Sequence, residues 1–94
     1  MTTTFQVFQK DPDAQLDYVI NWSSWLNGDA IASSIWIVPS GLTLVDSSFT
    51  NENATIWLSG GVIGQRYRVT NRITTTTSPA RIDDRSIIIF IRDK

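Results

Sequence analysis

Four carboxylates in two pairs are the residues of this chain with the best claim to chemistry. Asp11 and Asp13 flank a proline near one end, and Asp83 and Asp84 are adjacent near the other. Two carboxyls held in a cleft with pKa values pushed apart can serve as general acid and general base. Several aspartate oxygens converging from end loops can instead hold calcium. Asp11, Asp13, Asp83 and Asp84 form such a site only if the first and last loops lie at the same end of the fold. Their spacing is not that of an EF-hand, and turn aspartates usually serve local hydrogen bonding. The chain has no histidine and no cysteine. That excludes serine triads, cysteine dyads and His- or Cys-based zinc centres. The expectation is a protein without catalytic residues, cofactor or resident metal, in which those four aspartates are the remaining calcium candidates.

The elements that must position these residues read as short strands. The chain is 94 residues long and 41% hydrophobic, with four Trp, four Phe and two Tyr to fill one core. A single domain over residues 1–94 is expected, with 1–4 as a loose N-terminal arm. Eight basic and nine acidic residues leave a net charge of −1. No bulk charge draws the chain to nucleic acid or an anionic membrane. No apolar run approaches the ~20 residues of a spanning helix. The N-terminus lacks the cationic start and apolar core of a secretory leader.

Phe5 and Val7 alternate with polar residues in a first strand, which Lys10-Asp11-Pro12-Asp13 stops. Leu16, Tyr18, Ile20 and Trp22 repeat at period 2, as a half-buried strand does. Ser23 to Asp29 reads as a connection with one helical turn. Ile31–Val38 is β-rich on both faces, Leu42–Val45 is a short edge strand, and Asp46–Asn53 is turn-like. Ala54, Ile56 and Leu58 alternate, then Gly60, Gly61 and Gly64 punctuate a turn. Tyr67, Val69, Asn71 and Ile73 alternate with Arg66, Arg68, Thr70 and Arg72. Asn53–Thr75 thus predicts a β-hairpin, and Ser86–Arg92 predicts the last strand. About seven short strands at regular spacing predict an all-β, immunoglobulin-like antiparallel sandwich. In such folds Tyr67 takes the tyrosine corner and Trp36 the buried strand-C position.

Two features bear on partners. Arg66, Arg68 and Arg72 share one strand face and read as a solvated side. The last strand does not alternate: Ile87, Ile89 and Ile91 form one face, Ile88 and Phe90 the other. Ile35, Ile37 and Trp57 are likewise apolar where a solvated side is expected. Such surplus surface predicts burial against a partner chain, with Ile35, Ile37, Trp57, Ile88 and Phe90 as the contact residues.

The segments KDPDAQLDY (Lys10–Tyr18), WSSWL (Trp22–Leu26), IASSIWIVPSGL (Ile31–Leu42), ATIWLSGG (Ala54–Gly61) and YRVTNRITT (Tyr67–Thr75) together resemble a family of small tailed-bacteriophage proteins of the fiber-tail adaptor or neck/tail-associated type, with an immunoglobulin-like fold. The chain departs from that family at Ala80, where the turn before the last strand carries glycine in its relatives. The resemblance implies a virion component that joins tail, neck, fiber or capsid proteins in multiple copies. It implies synthesis in the host cytoplasm and supplies no catalytic residues. The alternative is a carbohydrate- or cell-surface-binding module that stacks sugar on Trp25 or Trp57.

Overall fold

The computed structural model describes residues 6–93. The expected arm at 1–4 lies outside them. The elements are β1 (Gln6–Lys10), β2 (Leu16–Asn21), a one-turn helix α1 (Ser23–Leu26), β3 (Ile31–Ile37), β4 (Leu42–Phe49), β5 (Asn53–Gly60), β6 (Arg66–Thr75) and β7 (Ile82–Ile91). They form a four-stranded sheet in the order β1-β7-β6-β3 and a three-stranded sheet in the order β2-β5-β4. The chain is an all-β sandwich, as its alternation predicted.

Alternation decides which side of each strand is dry. Tyr67, Val69, Asn71, Ile73 and Thr75 of β6 are buried, and so are Ile87, Ile89 and Ile91 of β7. They meet Tyr18 and Ile20 of β2 and Ala54, Ile56 and Leu58 of β5. Each large apolar side chain taken from water contributes roughly 1.5–3 kcal/mol, so this interleaved layer dominates the stability. Immunoglobulin-type sandwiches place strands A, B, E and D in one sheet and C, F and G in the other. The order here is the same, except that the first strand has crossed to lie beside the last. The crossing makes β1 parallel to β7, with Gln6 opposite Ile87 and Lys10 opposite Ile91. The sandwich is therefore not wholly antiparallel.

The Asn53–Thr75 stretch is not a hairpin. β5 pairs with β2 and β4, whereas β6 pairs with β3 and β7. The glycine-rich turn carries the chain from one sheet to the other. Gly60, Gly61 and Gly64 all have positive φ there. A hairpin and a sheet-crossing turn have the same local signature, since strand ends and turn residues look alike in both. At the far end of the turn, the Val62 N–H donates to the Tyr67 hydroxyl at 3.1 Å. This is the geometry of a tyrosine corner. Tyr67→Phe keeps the ring and removes the bond, so a loss of about 1 kcal/mol is expected. In a domain of this size, urea or thermal melting reads that as a drop of about 4–8 °C.

Other boundaries moved for reasons of pairing. β4 runs to Phe49 rather than Val45, because β5 supplies partners along its whole length, with an irregularity between Leu44 and Asp46. β7 begins at Ile82 rather than Ser86, because Asp83 and Asp84 pair with Ile73 and Arg72 of β6. The fully buried tryptophan is Trp22, at 0% exposure, and not Trp36. Trp36 sits on edge strand β3, is half-buried, and leaves its Nε1 without a hydrogen-bond partner among the described residues.

Candidate interaction surfaces

Two buried polar groups hold the frame that displays the surfaces. Asn71 is at 0% exposure. Its Oδ1 accepts from Trp22 Nε1 at 3.0 Å. Its Nδ2 donates to Ser34 Oγ and to the Ile35 carbonyl at 2.8 and 2.9 Å. One amide thereby ties the end of β2 to β3 and β6. Lys10 is also fully buried. Its Nζ donates to the carbonyls of Gly60 and Asp11 at 2.8 and 2.9 Å. Burial pushes its ammonium below the usual lysine range, against the pull of Asp11 and Asp13. Neither group was picked out from the sequence. Asn71 occupies an apolar position in a clean alternation, which is the signal that a buried polar link leaves.

The outer face of the four-stranded sheet carries Ile35 and Ile37 of β3, and Val7 of β1 opposite Ile88 of β7. Ile35 is 53% and Ile37 48% exposed, and Val7 is 54% exposed. Between these two groups runs the β6 row Arg66, Arg68, Thr70 and Arg72. Arg72 makes a two-pronged pair with Asp84, Nε–Oδ1 at 2.8 Å and Nη2–Oδ2 at 3.0 Å. Hydrogen bonds from that guanidinium hold the Asp84 carboxyl below its usual range. Arg68 Nε reaches Ser86 Oγ at 3.3 Å. Phe90 is half-buried under two guanidinium groups, Arg66 at 4.6 Å and Arg92 at 5.8 Å from its ring centre. Its aromatic face is covered by cations.

Trp57 lies elsewhere. It points outward from β5 in the three-stranded sheet, between Asp17 of β2 and Asp46 of β4. Ile35, Ile37, Ile88 and Phe90 thus share one face of the sandwich, and Trp57 is on the opposite face. The expected contact set does not form a single patch, because two stacked sheets turn their outer sides in opposite directions.

The four calcium candidates are also separated. Asp11 and Asp13 occupy the turn after β1, and Asp13 N–H donates to Asp11 Oδ1 at 2.8 Å. Asp83 and Asp84 lie within β7, at the end remote from Lys10. The seven or so intervening strand residues put about 25 Å between the pairs. No cluster of three potential ligand residues occurs among the described residues.

At the other end, α1 and the β6–β7 turn meet. Arg81 stacks over the Trp25 ring at 4.4 Å and donates to the Leu26 carbonyl at 2.8 Å. Asp29 accepts from the Ala30 N–H at 2.7 Å and from the hydroxyls of Thr76 and Thr77 at 3.0 and 2.9 Å. Burial alone would raise its carboxyl, but the Ala30 N–H and the Thr77, Thr76 and Thr75 hydroxyls more than offset this and hold it far below the usual range. A recess of 880 Å³ opens where β1 begins, lined by Val19, Ile20, Arg68, Asp84, Arg85 and Ile87 among others. Its one carboxylate, Asp84, is the one held by Arg72.

The fold and its surfaces define a class first: a small all-β sandwich that displays apolar side chains on outward sheet faces. The chain belongs to a family described as podophage GP4 fiber-tail adaptor protein gp77, whose family model matches residues 10–90. That family is a phage fiber-tail adaptor, which implies a structural part in the phage tail, contacts with other virion proteins and a place in the virion. No curated protein matches the chain.

Proposed function

We propose that this chain is a non-enzymatic adaptor that docks on tail, neck or capsid proteins through the outer face of its four-stranded sheet. The observation that carries the reading is the exposure of Ile35 and Ile37 side by side on strand β3 beside an arginine row. Apolar surface beside arginine is typical of protein contacts. Several copies on a symmetric particle would let each contact be weak. Synthesis in the host cytoplasm, and independence from nucleic acid and membrane, belong to the same reading.

The test is Ile35→Asp with Ile37→Asp. Both side chains are half in water, so melting should change by no more than about 1 kcal/mol. Particles assembled with the variant should lose this protein, read by mass spectrometry of purified virions. Wild-type incorporation would sink the choice of face.

The carbohydrate alternative draws on Trp57, which is 38% exposed between two carboxylates. Its other candidate, Trp25, has its ring occupied by Arg81. Sugar-dependent quenching of Trp57 fluorescence, lost in Trp57→Phe, would favour that reading.

A further inference from the structure

Charge in this sandwich is sorted by sheet. The strands of the three-stranded sheet contain Asp17 and Asp46 and no basic residue. The outward side of the four-stranded sheet carries Arg66, Arg68 and Arg72 against Asp84 alone. With a chain net charge of −1, the sorting gives two opposed faces of opposite sign. Each face also carries exposed apolar side chains. Ile35 and Ile37 lie on the basic face; Trp57 and Val19, 48% exposed, lie on the acidic one.

We infer that the acidic three-stranded face of one copy seats on the basic four-stranded face of a second copy of this chain. The inference rests on the docking role proposed above and adds a second copy of the chain as a partner of that face, the copy at the basic end of a run keeping its own face open to a tail, neck or capsid protein. Asp17 and Asp46 bracket Trp57 in one cross-strand row, and the β6 arginines run between two aliphatic groups, so guanidinium groups stack on the indole with a carboxylate on either side of them. Arginine on aromatic is already this molecule's habit: Arg66 covers Phe90, Arg81 covers Trp25, and Arg85 covers Trp22 at 4.4 Å.

The charge pattern also selects the symmetry. A two-fold dimer through either face sets arginine against arginine or aspartate against aspartate. Only a heterologous contact pairs unlike faces, and such contacts close into a ring or propagate as a run. The sandwich is 19 Å across its shortest extent, with the two faces on its opposite sides. Association through them therefore yields a ladder of sizes and not one dimer.

The experiment is light scattering and sedimentation of the full chain across concentration and salt. Average mass should rise with concentration in dilute salt and fall back toward the monomer at about 1 M salt, where charges are screened within about 3 Å. Asp17→Lys with Asp46→Lys makes both faces basic, and Arg66→Glu with Arg68→Glu makes both acidic. Each double variant alone should be monomeric. An equimolar mixture should associate, because unlike faces again meet. A wild-type chain that stays monomeric at about 1 mM in dilute salt overturns the inference, as does association of either variant alone as strong as wild type. Should a variant fail to fold, the salt dependence of the wild type still decides. The docking reading stands or falls separately, on virion incorporation of the Ile35/Ile37 variant.

Discussion

Asn71→Ala is expected to cost about 3 kcal/mol of folding stability and to lower the melting temperature by about 12–20 °C. The amide is fully buried and makes three hydrogen bonds, to Trp22 Nε1, Ser34 Oγ and the Ile35 carbonyl. Truncation removes all three at once. It leaves the indole N–H of a tryptophan at 0% exposure without a partner. A buried donor left unmade costs about 1–3 kcal/mol by itself, and the vacated volume adds a cavity term. Ser34→Ala removes one partner at the margin of the same link and should cost no more than about 1 kcal/mol. A cycle of Asn71→Ala with Trp22→Phe isolates the coupling, which should reach at least about 1 kcal/mol. Melting of Asn71→Ala within 1 kcal/mol of wild type would show that the link contributes no more than an ordinary surface bond.

Gly61→Ala is expected to cost about 3 kcal/mol or more, from two sources of similar size. The backbone there has φ +106°, a region that side chains with a Cβ rarely adopt. A Cβ would also lie 2.5 Å from Ile91 Cδ1 and 2.6 Å from its Cγ1. Ile91 is itself at 0% exposure, so it has nowhere to retreat in a packed core. Gly64→Ala separates the two sources. Gly64 has φ +88° but nothing within 4 Å of the new Cβ, so only the backbone penalty of roughly 1–2 kcal/mol remains. Urea titration of both variants should place Gly61→Ala well below Gly64→Ala. Equal midpoints would mean that the turn moves away from Ile91 freely. The turn's position is also fixed by the Lys10 ammonium on the Gly60 carbonyl, so such movement would break a second buried link.

Much of the frame was legible along the chain. The strands around Tyr18, Ile56 and Val69 alternate at period 2, and that periodicity holds wherever one side is dry. The turn ending at Tyr67 was legible because positive-φ glycines and a strand-initial tyrosine have few other uses. Pairing was not legible. The Gly60–Gly64 turn looks the same whether it folds β6 back on β5 or carries it to the other sheet. By propensity alone β4 ends at Val45, because Asp46 and the two serines after it favour strand weakly, and β5 overrides this by pairing with them.

The sequence by itself determined that this protein is a small β-structured chain, with residues for packing and contact and with neither histidine nor cysteine for chemistry. Those properties are local: they follow from residue types and from the twofold repeat of a pleated backbone. Only the tertiary structure decided which exposed residues share a face. It put Trp57 opposite Ile35 and Ile37, set Asp11 and Asp13 far from Asp83 and Asp84, and sorted the charges by sheet. The reason is that a strand's two sides are fixed by its own alternation, while its neighbour and its sheet are chosen by pairing between residues remote in the chain.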